Sequence, residues 1–278
     1  MLEQFRLGVM QGRLLPKYKG QYQAHPKGYW QKEFGLAKAL GLNLIEFILD
    51  YSDVQENPLM SPEGLSEIES VVKASGIQVR RICADYFMEA PLHSKNSETI
   101  EESHAMLLKL LKHAASIGVK DVVIPCVDHA SLNDDEDKER FIKNIRPSVR
   151  KAEQLGIHLA LETNLAPKPF LKLLDALDSP SITVNYDTGN SASLGYDPEE
   201  EFRAYGNRIS DIHVKDRILG GGSVPLGQGN TNFKKIMGLV AASDFGGPLI
   251  LQVYRDDEGK AIFGEQLDWF KNISDPQP

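Results

Sequence analysis

The sequence predicts a single-domain closed (β/α)8 barrel spanning residues 1–278, on three observations. Eight short apolar runs alternate with eight amphipathic stretches, the order that builds a parallel sheet covered by helices. The chain has 278 residues, close to the roughly 250 that one such barrel occupies. No linker, low-complexity tract or long charge run divides it. An open doubly wound sheet is the alternative, but it rarely uses eight regular units.

The elements follow in order. A strand over residues 6–10 leads to a helix over 28–40, which Gly41 ends as a C-cap. A strand over 44–48 precedes a helix over 62–74, with Ser61 as N-cap, Pro62 in the first turn and Gly76 as its end. A strand over 78–84 is followed by a long helix over 97–117 and Gly118, and a strand over 121–125 by a helix over 134–155 and Gly156. Strands over 158–162, 182–187, 209–215 and 249–254 alternate with helices over 167–177, 198–205, 232–242 and 264–272. Trp30 and Trp269 fall in helices, where packing is their expected role.

Composition narrows the class of function. The net charge is -8 and no basic stretch stands out, whereas a protein that grips phosphodiesters carries a positive face. Nucleic acid is therefore not an expected partner. The first residues do not read as a secretory signal and no apolar run reaches the ~18 residues of a membrane span, so the expected location is the cytoplasm, with no membrane contact. Cys83 and Cys126 have no CxxC spacing and read as buried thiols in a reducing compartment.

Side chains on a strand alternate in direction, and in a barrel the large apolar set faces the helices. Applied to the fifth strand, the rule turns Leu159 and Leu161 outward and Glu162 inward. In the sixth, Ile182, Val184 and Tyr186 go outward and Asn185 and Asp187 inward. In the seventh, Ile212 and Val214 go outward and Asp211, His213 and Lys215 inward. In the eighth, Leu249, Leu251 and Val253 go outward and Gln252 inward; in the second, Glu46 faces the axis. Glu162, Asp187, His213 and Gln252 thus converge near the C-terminal ends of four successive strands, where barrel enzymes build their sites.

Burying two carboxylates together is costly, and like charges raise each other's pKa. A divalent cation relieves both. Glu162 and Asp187 match its charge, His213 adds a neutral nitrogen and Gln252 an amide oxygen. One nitrogen among oxygens favours Mn²⁺, with Mg²⁺ and Co²⁺ close behind; Zn²⁺ usually takes a set richer in nitrogen or sulfur. Each residue alone has a plainer role: a hydrogen-bonded core histidine, a capping or paired glutamate, an incidental glutamine. Their concurrence at matching depth carries the metal reading.

The motifs Leu161-Glu162-Thr163-Asn164, Asn185-Tyr186-Asp187-Thr188-Gly189-Asn190 and Ile212-His213-Val214-Lys215-Asp216 resemble those of the xylose isomerase-like TIM-barrel family of sugar (phosphate) isomerases and epimerases. Gly41-Leu42-Asn43-Leu44-Ile45-Glu46 and Val224-Pro225-Leu226-Gly227-Gln228-Gly229 extend the likeness over nearly the whole chain. The resemblance implies metal ligands from the fifth to eighth strands, here Glu162, Asp187, His213 and Gln252. The family's fourth ligand is usually Glu, and its epimerases use the fifth- and eighth-strand glutamates as two bases on opposite faces of one carbon. An amide takes no proton at neutral pH, so Gln252 breaks that symmetry. Asn190 departs too, since family epimerases often carry His there.

The expected reaction is proton transfer next to a carbonyl of a small carbohydrate, through an enediolate that one divalent cation stabilises. Glu162 is the expected base, with Lys215, Asp85 and Glu46 as candidates for a second acid. Lys215, Arg217 and Arg255 stand near the metal strands and Arg13 follows the first strand; these could grip hydroxyls or a phosphate, or instead pair with Asp211, Asp216, Asp256 or Asp257. Asp85 and Asn190 are expected to line the substrate pocket. Residues 220–223 read as a turn rather than a lid or phosphate cradle. The rival readings are a metal-dependent phosphodiesterase of endonuclease type, a keto-sugar or cyclitol dehydratase, and a non-catalytic sugar-binding relative. Homo-oligomers are compatible with all of them.

Overall fold

The computed structural model describes residues 4–274. Eight parallel strands close into one barrel: β1 (Leu7–Met10), β2 (Leu44–Ile48), β3 (Gln78–Cys83), β4 (Asp121–Cys126), β5 (His158–Thr163), β6 (Ile182–Asp187), β7 (Ile209–Val214) and, after a short hairpin of β8 (Asp216–Arg217) and β9 (Ser223–Val224), β10 (Leu249–Leu251). Each strand pairs with its neighbour in sequence, and β10 closes the ring against β1, placing Leu7 opposite Leu249 and Val9 opposite Leu251. Closure leaves no free sheet edge.

The helices form the outer layer: α1 (Gln31–Ala39), α2 (Pro62–Ser75), α3 (Tyr86–Glu89), α4 (Ser97–Ser116), α5 (Asp135–Leu155), α6 (Pro167–Leu177), α7 (Thr188–Leu194), α8 (Pro198–Tyr205), α9 (Phe233–Ala242) and α10 (Lys260–Ser274). The predicted punctuation holds. The Ser61 side chain accepts from the Gly64 N–H with Pro62 in the first turn, and Gly76 and Gly156 end α2 and α5 with φ of 82° and 64°, a region glycine enters without a Cβ clash. No described helix is long and apolar enough to cross a membrane.

Strand alternation divides the apolar residues as predicted. Ile45, Phe47, Leu159, Leu161, Val184, Ile212, Val214 and Leu249 join the large core between strands and helices, where Phe34, Phe141, Phe263 and Phe270 are almost fully buried. Each such ring contributes roughly 1.5–3 kcal/mol of burial free energy. A smaller cluster inside the barrel holds Met10, Leu44, Ile48, Cys83, Val123, Ala160 and Ile250. The interior also carries a charged layer. Buried Arg81 pairs with Asp121, and its Nε lies 3.3 Å from Asp211 Oδ2. Mutual pairing is what makes these buried charges tolerable.

Several boundaries differ from the sequence expectation. The first helix begins at Gln31 because residues 28–30 form a turn opened by Gly28 at φ 84°. The last begins at Lys260, after the Asp256 carboxylate has taken the N–H groups of Glu258 and Gly259. The eighth barrel strand stops at Leu251, although the Gln252 N–H still reaches the Val214 carbonyl at 3.1 Å. Helix α7 has no apolar periodicity in Thr-Gly-Asn-Ser-Ala-Ser-Leu; tertiary context and its Asp187 cap make it helical. Residues 220–222 are the turn of the β8–β9 hairpin, where Gly221 N–H bonds to the Ile218 carbonyl at 2.7 Å.

Candidate active site

Glu162 lies near the C-terminal end of β5 with its carboxylate held from two sides: Asn185 Nδ2 donates to Oε2 at 2.9 Å, and Asn190 Nδ2 to Oε1 at 2.6 Å. Asp187 ends β6 and caps α7, its Oδ1 accepting from the Asn190 N–H at 2.8 Å. Helix α7 can pass this close because Gly189 has no side chain; a Cβ there would sit 2.8 Å from Lys215 Cγ. Lys215 Nζ is 3.3 Å from Asp187 Oδ2.

His213, on β7, is fully buried. Its Nε2 is 3.0 Å from Glu46 Oε1 on β2, and its Nδ1 is 3.0 Å from Asn185 Nδ2 and 3.7 Å from Glu162 Oε2. With Glu46 as acceptor, the ring proton belongs on Nε2 and the Nδ1 lone pair faces Glu162. Glu46 therefore stands behind the histidine rather than in the cavity, an outer partner that orients the ring.

Glu162, Asp187 and His213 offer ligand atoms that all lie within 4.8 Å of one another, and all three residues are buried. Gln252 lines the same cavity as Glu162: its Nε2 donates to Gln23 Oε1 at 2.8 Å, while its Oε1 is buried without a hydrogen-bond partner. An orphaned buried carbonyl is costly, and a cation would satisfy it. Two buried carboxylates with one lysine nearby, an imidazole lone pair and a free amide oxygen suit a divalent ion of the Mn²⁺ or Mg²⁺ kind. Burial pushes the Glu162 carboxyl up to about 7, and the Asp187 charge adds to it, while His213, Lys215 and the Asn185 hydrogen bond oppose.

A cavity of about 470 Å³ opens over this centre, lined by Glu162, Asn190, Lys215, Arg217 and Gln252 on one side and by Gln23, Asp50 and Asp85 on the other. Arg217 donates to Asn190 Oδ1 at 2.8 Å and to the Gly221 carbonyl at 3.0 Å, so it steadies the amide that holds Glu162. Asp85 Oδ2 accepts from Gln23 Nε2 at 2.8 Å, and Cys83 Sγ lies 3.2 Å from Oδ1; burial raises both the carboxyl and the thiol. Arg13 borders the cavity, yet its guanidinium donates to the carbonyls of Val253 and Tyr22 and to Gln23 Oε1. Arg255 lies outside the lining and donates to the carbonyls of Gly12 and Leu15. Asp216 holds the following loop, accepting from the N–H groups of Gly227, Gly229 and Thr231.

Sequence reasoning left out Asn185, Gln23, His25 and Asp50. Strand parity did turn Asn185 inward, so a signal existed. His25 Nδ1 meets Gln11 Oε1 at 3.0 Å and its N–H meets Asp50 Oδ2 at 2.7 Å, but Gln23 and His25 sit in an irregular loop with no periodicity to betray them.

A closed parallel barrel with converging acids, an imidazole and a roomy cavity at the C-terminal mouth defines a barrel enzyme. The chain belongs to the xylose isomerase-like TIM barrel family, whose model matches residues 34–273. It is 25% identical over 252 residues to the L-ribulose-5-phosphate 3-epimerase UlaE of Salmonella heidelberg (strain SL476), covering 87% of this chain and 89% of that one, and equally to the enzyme of Salmonella typhi. Among solved structures it is similar to a D-allulose 3-epimerase from Methylomonas sp. in complex with D-allulose, with TM-score 0.76 and 15% identity over 97% of both chains. The 3-keto-D-glucoside 4-epimerase YcjR from E. coli superposes with TM-score 0.74 and 14% identity, covering 96% of this chain and 99% of that one. At these identities the structural likeness is one of fold.

Proposed function

We propose that this enzyme isomerises or epimerises a small sugar by proton transfer next to its carbonyl, with one divalent cation held by Glu162, Asp187, His213 and Gln252. The observation that carries the reading is the buried triad of Glu162, Asp187 and His213 with ligand atoms within 4.8 Å of one another, in a chain 25% identical to a sugar-phosphate epimerase over 87% of its length. When bound, the cation, Mn²⁺ by preference, supplies Lewis-acid polarisation of the carbonyl and stabilises enediolate charge.

The residues divide the remaining work. Glu162 takes the proton from the carbon beside the carbonyl, its oxygens aimed by the amides of Asn185 and Asn190. Glu46 fixes the ring of His213, and Arg217 fixes Asn190. Lys215, beside Asp187 at the cavity wall, is placed to donate to a developing oxyanion. Gln252 offers an oxygen but accepts no proton, so one carboxylate serves both transfers. The outcome favoured is aldose–ketose isomerisation, the proton returning to the adjacent carbon. Asp85, across the cavity, is the second carboxyl available for an inversion.

The test is solvent deuterium incorporation into ketoses and aldoses by the manganese-supplemented enzyme. Deuterium at the carbon next to the carbonyl, lost on Glu162→Gln, supports the reading. Binding of sugars with no exchange under any metal makes the protein a carbohydrate-binding relative instead.

A further inference from the structure

Strands β5, β6, β7 and β10 carry the metal-site half of the cavity; the loops after β1, β2 and β3 make the facing wall. Seven acidic and five basic side chains line the whole, and each of the five cations has at least one partner. Lys19 Nζ is 3.1 Å from Asp53 and Lys27 Nζ 2.6 Å from Glu56. Lys215 faces Asp187, Arg13 is committed to two carbonyls and Gln23, and Arg217 to Asn190 and Gly221. The facing wall offers the reverse. Asp50 accepts only from the His25 N–H, and Asp85 from Gln23 and the Cys83 thiol; neither forms an ion pair among the described residues. Asp128 stands exposed at the rim.

We propose that the substrate is an uncharged sugar rather than its phosphate ester, and that Asp85 and Asp50 select it by accepting hydrogen bonds from its hydroxyls. The inference rests on the proton-transfer reading above. A phosphate dianion is held by several convergent N–H donors, usually an arginine fork or a lysine; here every cation at the cavity already has a partner, while Asp50 and Asp85 stand without an ion pair. A hydroxyl donates as well as accepts, so a polyol can bond to Asp50 and Asp85 in either protonation state, whereas neither supplies the cationic donor that a phosphate takes. The amide of Gln23, bridging Gln252 and Asp85, ties the two walls together.

The experiment compares D-ribulose, D-xylulose, D-fructose and D-tagatose with their terminal phosphate esters on the manganese-loaded enzyme, reading affinity by calorimetry and proton exchange by deuterium incorporation. The expected result is that at least one free ketose binds tenfold or more tightly than its ester, and that 10 mM inorganic phosphate (roughly the top of the millimolar range in which weak sites bind) does not compete. An ester that binds as well or better, or competition by phosphate, overturns the proposal whether or not turnover occurs. Free-sugar binding without exchange sinks the catalytic reading and leaves this one standing; binding of neither form sinks both. Asp85→Asn should raise KM for the free ketose at least fivefold and narrow the preference over the ester at least threefold. Equal losses for both forms would make Asp85 merely structural.

Discussion

His213 Nε2 and Glu46 Oε1 meet at 3.0 Å inside the barrel, both side chains fully buried and 167 residues apart in sequence. The contact fixes the imidazole so that its other nitrogen faces Glu162. It also leaves Glu46 Oε2 without a partner, next to Asp211, whose carboxyl burial holds far above the usual range. The proposed metal site thus rests on a carboxylate that is costly to keep.

Glu46→Ala should weaken Mn²⁺ binding about 10–100-fold, the usual effect of losing an outer partner of a ligating histidine. Glu46→Gln keeps an acceptor for the ring and removes a buried acid beside Asp211. It should retain most of the affinity and raise the melting temperature of the metal-free protein. Calorimetric Mn²⁺ titration and thermal unfolding check both; equal affinity in all three proteins would remove Glu46 from the metal site.

Glu162→Gln should lower exchange-linked turnover by about 10²–10⁴, the range lost with a general base. Because Glu162 also belongs to the proposed ligand set, circular dichroism and residual metal binding must be measured beside the rate. Near-normal exchange in a folded, metal-loaded variant would pass the base to another group.

Gln252→Glu replaces an amide with a third carboxylate at the proposed fourth ligand position. The variant should bind Mn²⁺ more tightly and shift products toward the epimer, because a proton can then return from a second base. Chiral chromatography of the products reads the ratio; an unchanged ratio with intact binding would mean that residue 252 does not reach the reacting carbon.

Stability should fall as pH rises through neutrality. Glu33 is buried on α1, its oxygens accepting from the N–H groups of Gly12 and Leu14. Burial lifts its carboxyl from 4.5 to about 7, the two hydrogen bonds and nearby Arg13 and Arg255 only partly offsetting that. A raised acid binds more protons folded than unfolded, so its contribution is complete below about pH 4.5 and is lost as pH climbs through 7. At 1.36 kcal/mol per unit the loss approaches about 3 kcal/mol. Asp50, lifted from 3.8 to about 7 by burial, adds to the same slope. Urea titrations between pH 5 and 8 should show it, and Glu33→Gln should flatten it. A rising slope in the wild-type protein would refute the assignment.

Much of the site was legible in residue order alone, because strand alternation is a local property. Once Leu159, Leu161, Ile212 and Val214 are assigned to the helix side, the backbone turns Glu162 and His213 to the axis whatever the rest of the chain does. Arg13 and Arg255 mark the limit of that reasoning. Both were reasonable anion grips by position, yet the folded chain commits their guanidinium groups to backbone carbonyls of the loops around Gly12, Leu15, Tyr22 and Val253.

The sequence by itself determined the barrel, the order of its elements, and the inward turn of Glu162, Asp187, His213 and Gln252, since all of these follow from period and parity along single segments. The tertiary structure alone decided the partners: Glu46 behind His213, Asn185 and Asn190 on Glu162, Gln23 between Gln252 and Asp85. Those contacts join segments far apart in the chain, several through irregular loops, and only closure of the barrel brings their polar atoms within hydrogen-bond distance.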